Sequence, residues 1–501
     1  MELAELLRDV PMTKAMLTTD TVSGITSDSR RVRGGELLIC IRGLHRDGHD
    51  HVAEGIERGA AVVLAESKEA IPPGISYILT PDTRLAEALV WNNRYGRPAD
   101  GMTKIGITGT SGKTTTAHLL RDLLQAGGHR VGAITTAGGF VAGERIPFPD
   151  GGTSVTDAAA AMTTPDPEYF YGMTAAMAKA GCDTLVYEAS SQGLALHKTD
   201  AITPDYALFT NLSPEHMDFH GTMETYLAAK ARLFTKAKTG ILLVDDPWAE
   251  KLMALAPACT WLTCTTDPAK ATDCDSAALR IRSHGAEGMS FLYCGREAIF
   301  RIRTPLTGIC AVYDLLLCVT CALQMGVDPL TIQDALTRVQ FPAGRMQKLE
   351  LPAHSFTVYI DYAHTPAALE MTLQAAKAMH PTRLTVLFGC GGDRDPTKRP
   401  VMGHIAETYA DRVVVTDDNP RTEDPAKIRQ AIVDGMEKAP YAVIPDRKEA
   451  IVRSIREAVA GEMILLCGKG HESWQIIGKE KLPFDEEAIV RAALQNRETD
   501  I

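Results

Sequence analysis

Apolar residues along this chain come in short continuous runs rather than in alternation, and most runs end abruptly in glycine or acid. "ELLICI", "AAVVLAE" and "ISYILT" supply three such runs in the first hundred residues, separated by turns and one helical stretch, "HVAEGIERGA". From Lys104 onward short apolar runs alternate with longer stretches of helical period, the pattern of a parallel sheet covered by helices. The segment "NRYGRPADGMTK", polar and broken by Pro and Gly, reads as a linker before that change. A second break falls at "FPAGRMQK". The pattern therefore predicts an α/β protein of three domains, residues 1–102, 103–340 and 341–501. They are a small α/β domain, a central domain with a mostly parallel sheet, and a Rossmann-like C-terminal domain.

Three strands after the second break share one design: "LTVLFGCGGDRD", "RVVVTDDNPR" and "MILLCGKGHE". In open α/β sheets ligands bind beyond the carboxyl ends of the strands, where such polar residues gather. An Asx-Pro turn after a strand is common, but three polar strand ends in one domain favour a shared binding site.

The strongest local chemistry is "KIGITGTSGKTTTAHLLRDLL". A strand at 105–108 runs into Gly109, Thr110, Ser111, Gly112, Lys113, Thr114 and Thr115, then into an amphipathic helix carrying Leu119, Leu120, Leu123 and Leu124. Glycines let backbone N–H groups face phosphate oxygens, and the helix start adds a favourable dipole. Lys113 can neutralise phosphate charge and the Thr114 hydroxyl can reach Mg²⁺. Ile107 stands where the strict eight-residue phosphate-loop motif has its first glycine, so this is a shortened variant. A magnesium–nucleotide site needs an acid at a neighbouring strand end, and Glu188 in "DTLVYEASSQGL" supplies one. His216 and His220, four apart, lack a third partner of zinc-ligand spacing.

The 501 residues are 45% hydrophobic and 23% charged, ordinary for a globular protein, and the net charge of −11 comes with no basic tract, which argues against nucleic acid. The N-terminus does not read as a signal peptide, and no run approaches the ~20 apolar residues of a membrane span. The 11 scattered cysteines fit a reducing cytoplasm rather than a disulfide framework. Cys318 and Cys321, in the helical-looking "YDLLLCVTCALQMG", read as buried small hydrophobes.

An ordered set of motifs now resembles the Mur ligase family: "SDSR", "GTSGKTT", "TTP", "EASS", "NLSPEHMDFHGTMETYLAAK", "GRM", "DYAHTPAALE", "GCGGDRD", "DNPR" and "GKGHE". The match is best with the members that add the third amino acid to UDP-N-acetylmuramoyl-L-alanyl-D-glutamate. That resemblance implies an ATP-dependent amide ligase working through an acyl phosphate. It implies a monomer whose partners are small molecules: ATP, the UDP-muramoyl dipeptide and an amino acid. It assigns Mg²⁺ to Thr114, Glu188, His216 and Lys230, the last as a carbamate. It puts Ser29, His45, Thr163, Thr164, Ser190 and Lys198 on the nucleotide peptide, and Arg345 and Asp361 over ATP. The chain departs from the family pattern at Ser111, Gln192, Lys198 and Gln347, and at Ala311 and Asp314, which replace two asparagines, one of them the reader of adenine.

In such enzymes a "DNPR" loop goes with meso-diaminopimelate, whose distal amino-carboxylate lysine lacks. By resemblance Arg421 forks that carboxylate and Glu472 takes the distal ammonium, with Arg394, Asp418, Asn419, Pro420 and Gly468 completing the pocket. Three other readings remain open at this level. The same reaction could use L-lysine or another amine, the chain could be a folylpolyglutamate synthetase, or it could bind nucleotide without catalysis.

Overall fold

The structure is a computed structural model, and it describes residues 1–43, 46–146, 162–351, 354–437 and 441–499. His45 lies outside the described residues. The chain forms three separate sheets of five, eleven and six strands, plus one two-stranded hairpin.

In the first sheet the strands run in the order Lys14–Met16, Ser76–Leu79, Val62–Ala65, Leu37–Ile39, Ile25–Thr26. Only the Lys14–Met16 pairing is antiparallel. Leu37, Leu38 and Ile39 are all buried, as are Val62 to Ala65, which is why these strands read as unbroken apolar runs. Besides the expected helix, Val52–Glu57, a longer one, Thr83–Arg94, packs here and was not evident in the pattern; it carries N-cap Asp82, which accepts from the Arg84 and Leu85 amides. The expected linker starts inside this helix and is packed down rather than loose, since Ala99 and Met102 are buried.

The central sheet is built around strand β1 (Thr103–Thr108), which leads through the glycine loop into helix α1 (Lys113–Ala126). Strand β2 (Val131–Thr135), strand β3 (Thr184–Glu188) and strand β4 (Tyr206–Phe209) join it in the spatial order β4–β1–β3–β2, all parallel. The register sets Glu188 opposite Ile107 and Phe209 opposite Thr108, so the ends of three strands face one point. Helix α2 (Met223–Lys236) covers one face and helix α3 (Ile309–Gln324) the other. Leu119, Leu120, Leu123 and Leu124 of α1 are fully buried with Val312, Leu315, Leu316 and Val319 of α3. Cys318 and Cys321 sit in that core, and the Cys318 thiol donates to the Thr116 carbonyl.

The six-stranded sheet holds β5 (Thr357–Asp361), β6 (Arg383–Phe388), β7 (Arg412–Val415) and β8 (Glu462–Cys467), arranged in space as β5–β8–β6–β7 and all parallel. Parallel strands put all four carboxyl ends on one edge. The loops that follow are therefore neighbours: residues 362–365, 389–395, 416–421 and 468–472. The hairpin of Trp474–Ile477 and Glu480–Pro483 lies directly after the last of them. Among the described residues no helix is long and apolar enough to cross a membrane.

Candidate active site

The glycine loop is braced from behind by the segment after β4. The Asn211 side chain accepts from the Ser111 amide at 3.0 Å and donates to the Ser111 carbonyl at 3.0 Å. Thr210 Oγ1 donates to the same carbonyl at 2.6 Å. Gly112 caps α1 with φ +86°, a left-handed conformation, and a Cβ there would meet Asp314 Oδ1 at 2.7 Å. These contacts hold the loop as a cup beside a cavity lined by Thr110 to Thr115, Glu188, Glu215, His216 and Arg345.

Two lysines point into the back of this cup. Lys113 Nζ donates to the carbonyls of Gly109 and Thr110, at 2.9 and 2.7 Å. Lys230 Nζ, from α2, donates to Gly109 at 2.8 Å and sits 4.3 Å from the Tyr226 ring centre. Lys230 is 1% exposed, so burial, with the Lys113 charge added, pulls its pKa well below the ordinary lysine value. Burial also lowers Lys113, against the pull of Glu215 and Glu188. Glu188 is fully buried at the end of β3, where Oε1 accepts from the Thr136 amide at 2.9 Å and Oε2 from the Thr136 hydroxyl at 3.2 Å. Thr136 was not singled out in the sequence, because nothing local marks the residue after β2.

Glu215 and His216 form the far wall. Burial pushes the Glu215 carboxyl up, but the His364 ring 3.5 Å away, with the charges of His216 and Lys113, outweighs it and holds the group at about 2. His216 takes φ +57°, and its ring lies 3.9 Å from Glu215; burial lowers its pKa. Arg345 lies over the Tyr362 ring at 4.5 Å. Asp361 faces inward, accepting from the Met346 and Ala363 amides and the Thr372 hydroxyl. Beside the loop, Asp314 is buried, and that burial drives its carboxyl up to about 8 despite the Thr116 hydroxyl and Arg345.

A second cavity opens on the other side of this wall. It is lined by Arg394, Asp418, Asn419, Arg421, Gly468 and Glu472, and it shares Glu215, His216, Tyr362, His364 and Thr365 with the first. Arg421 adopts φ +52° and donates from Nη1 to the Gly392 carbonyl at 2.8 Å. Its backbone is tied on both sides to the hairpin, accepting from Gly478 and donating to Ile476. Burial raises the Glu472 carboxyl, with the Asp418 charge adding to it. Asp418 Oδ2 is buried without a hydrogen-bond partner among the described residues. Gly468 has φ +113°, and a Cβ would stand 2.7 Å from that oxygen. The Gly468 N–H is committed to the Asp361 carbonyl. Pro420 is buried in the turn, and Arg394 is exposed at the rim.

The remaining expected residues gather apart from both cavities or at their edge. Thr164 Oγ1 donates to the Glu188 carbonyl at 3.0 Å and lies 3.0 Å from Ser190 Oγ, and Thr163 Oγ1 lies 3.1 Å from Thr136 Oγ1. Ser190 caps the short helix Ser191–Ala195. Lys198 is paired with Asp166 at 2.8 Å. Ser29, in the first sheet's domain, is buried and donates to Glu54 at 2.7 Å. His220 bonds the Ser191 hydroxyl, and among the described residues no group of three or more His, Cys, Asp or Glu is placed to hold a metal.

Fold and family models together define the class of protein. Residues 107–322 match the Mur ligase middle domain, 344–470 the "Mur ligase, glutamate ligase domain", and 21–92 the "Mur ligase family, catalytic domain". The chain belongs to the Mur ligase family. Among curated relatives, the UDP-N-acetylmuramoyl-L-alanyl-D-glutamate–2,6-diaminopimelate ligase of Syntrophomonas wolfei subsp. wolfei is 38% identical, over 99% of this chain and 100% of that one. The ligase of the same name from Geobacillus thermodenitrificans is 35% identical over 95% of each chain. A solved structure of a ligase of that name matches with TM-score 0.69 and 28% identity, covering 99% of both chains. Mycobacterium tuberculosis folylpolyglutamate synthase shares the fold over 77% of this chain, with TM-score 0.63 at 21% identity.

Proposed function

We propose that this protein is an ATP-dependent ligase that joins meso-diaminopimelate to UDP-N-acetylmuramoyl-L-alanyl-D-glutamate through an acyl phosphate, in peptidoglycan precursor synthesis. The observation that carries this reading is the wall of Glu215, His216, Tyr362, His364 and Thr365 common to the two cavities. A carboxylate phosphorylated at the glycine loop would lie on that wall, and an amine bound at Arg421 and Glu472 would meet it there. Transfer of this kind calls for neutralised phosphate charge and alignment, not for an intricate set of acids and bases. Relatives named as diaminopimelate ligases over the full length support the amino acid. In this reading residues 1–102 bind the uridine end, 103–340 ATP and 341–501 the amino acid, and the enzyme works as a cytoplasmic monomer.

In the first cavity Lys113 and the amides at the start of α1, residues 112–115, take the phosphates, while Arg345 and Asp361 border the nucleotide from the C-terminal side; the Thr110 and Ser111 amides are held by Asn211 and shape the loop. Ser29, His45, Thr163, Thr164, Ser190 and Lys198 belong to the UDP-muramoyl peptide. The donor set fits Mg²⁺: Thr114 supplies a hydroxyl, Glu188 a carboxylate and His216 an imidazole, which would spread the charge of the transferring phosphoryl group. Lys230 fits the role of a carbamate ligand because it is buried, has no carboxylate partner among the described residues and is biased toward the neutral amine that attacks CO₂. That addition yields a carbamate anion and one proton. Stripping dissolved CO₂ is expected to lower activity, and bicarbonate to restore it in wild type but not in Lys230→Met.

Asp314 gives the nucleotide site a pH dependence. Its carboxyl is mostly neutral at pH 7, and above about 8 it ionises next to Gly112 and the incoming triphosphate. KM for ATP is therefore expected to rise between pH 7 and 9 in wild type and to stay flat in Asp314→Asn. The function itself is tested by phosphate release, which should require ATP, the UDP-muramoyl dipeptide and diaminopimelate together. Release with no dependence on the dipeptide would refute the reading.

A further inference from the structure

Lys469 lies in the loop after β8 and its side chain is fully enclosed, an arrangement that a buried ammonium tolerates only with good partners. Nζ donates to Asn419 Oδ1 at 3.0 Å and to the Trp474 carbonyl at 2.8 Å. The same Asn419 oxygen accepts a second bond, from the Ile476 amide at 2.9 Å. With both of its acceptor positions used by donors, the Asn419 amide can be oriented only one way. Its Nδ2 then donates to Glu472 Oε2 at 2.9 Å. Lys469 itself stands 3.8 Å from that carboxylate oxygen.

The hairpin is the second half of the brace. Gln475 Nε2 donates to the Asp418 carbonyl at 2.8 Å, and the Arg421 backbone is bonded to Ile476 and Gly478. Two loops that both reach the second cavity are thus held in register by one cation and one short hairpin. Neither Lys469 nor the hairpin lines that cavity.

We infer that Lys469 is a positioning residue for amino-acid recognition, acting through Asn419 to aim the Glu472 carboxylate at the substrate's distal ammonium. The inference rests on the proposed amino-acid site. In this arrangement Asn419 serves the pocket by orienting Glu472, and the specificity of the site depends on a residue that never touches the ligand.

The test is a double-mutant cycle in the full chain, read as KM and kcat for diaminopimelate in ADP release. Lys469→Met is expected to raise KM for diaminopimelate by about 10- to 100-fold, as loss of a charge-assisted bond network would. It should leave KM for ATP and kcat within about threefold. Glu472→Ala is expected to raise the same KM, and the double variant to match Glu472→Ala alone. If Lys469→Met is not recovered folded, Lys469→Arg enters the cycle: it keeps the cation but cannot place one donor between Asn419 and Trp474. Glu472→Ala without effect on KM overturns the amino-acid site itself. Glu472→Ala with an effect, beside a folded Lys469 variant with none or with a fully additive one, overturns the positioning role alone.

Discussion

Arg421→Ala is expected to lower kcat/KM for meso-diaminopimelate by about 30- to 1,000-fold, the range for removing one partner of a buried charge pair. The size follows from how the side chain is held. Its backbone sits at φ +52° and is bonded on both sides to the hairpin, and Nη1 already rests on the Gly392 carbonyl. The guanidinium is therefore pre-set, with little entropy left to lose when a carboxylate arrives. Burial and the Arg394 charge work against its cation, a cost that an incoming carboxylate would relieve. Arg421→Lys should recover only part of the loss, since an ammonium lacks the planar fork. The variant should leave KM for ATP unchanged, because the two cavities meet only at the shared wall. Steady-state ADP release with each substrate varied in turn checks both statements.

Lys113→Met is expected to reduce kcat by about 10²- to 10³-fold, the usual effect of deleting one fixed donor to developing charge. The loop should survive the change. Its shape is set by Asn211, Thr210 and the start of α1, and the two bonds from Lys113 Nζ go to carbonyls that the open cup can leave to water. Thermal unfolding of the variant should accordingly stay close to wild type, and the UDP-muramoyl peptide should still bind in calorimetry. A large fall in stability would mean that Lys113 holds the loop rather than the phosphate.

These predictions draw unequally on sequence and structure. The strand, glycine loop and helix around Lys113 were legible because they follow one another within about twenty residues, and each carries a local signal. The three polar strand ends were legible for the same reason, and parallel pairing brings them to one edge. Lys230 could be tied to the loop only by resemblance, since 121 residues separate it from Gly109. Thr136, which holds Glu188 from 52 residues away, carries no local mark at all. Asp314 looked like a lost asparagine; only its burial under Gly112 shows a carboxyl kept near neutral. "DNPR" read as a set of ligand contacts, yet Asn419 is bonded to Lys469, Ile476 and Glu472, partners 50 or more residues on. The helix Thr83–Arg94 was missed because its apolar face is short and ends in a segment rich in Gly and Pro. Apart from that helix, what escaped the sequence was a contact across long chain separation, which local pattern does not encode.

The central claim is that the second cavity selects an amino acid with a distal carboxylate. Its most direct test is ADP release by the wild-type chain with ATP and UDP-N-acetylmuramoyl-L-alanyl-D-glutamate, comparing meso-diaminopimelate with L-lysine at equal concentration. The arrangement of Arg421 and Glu472 predicts kcat/KM for diaminopimelate at least about 30-fold above that for lysine. Equal values for the two amino acids, or a preference for lysine, would contradict it.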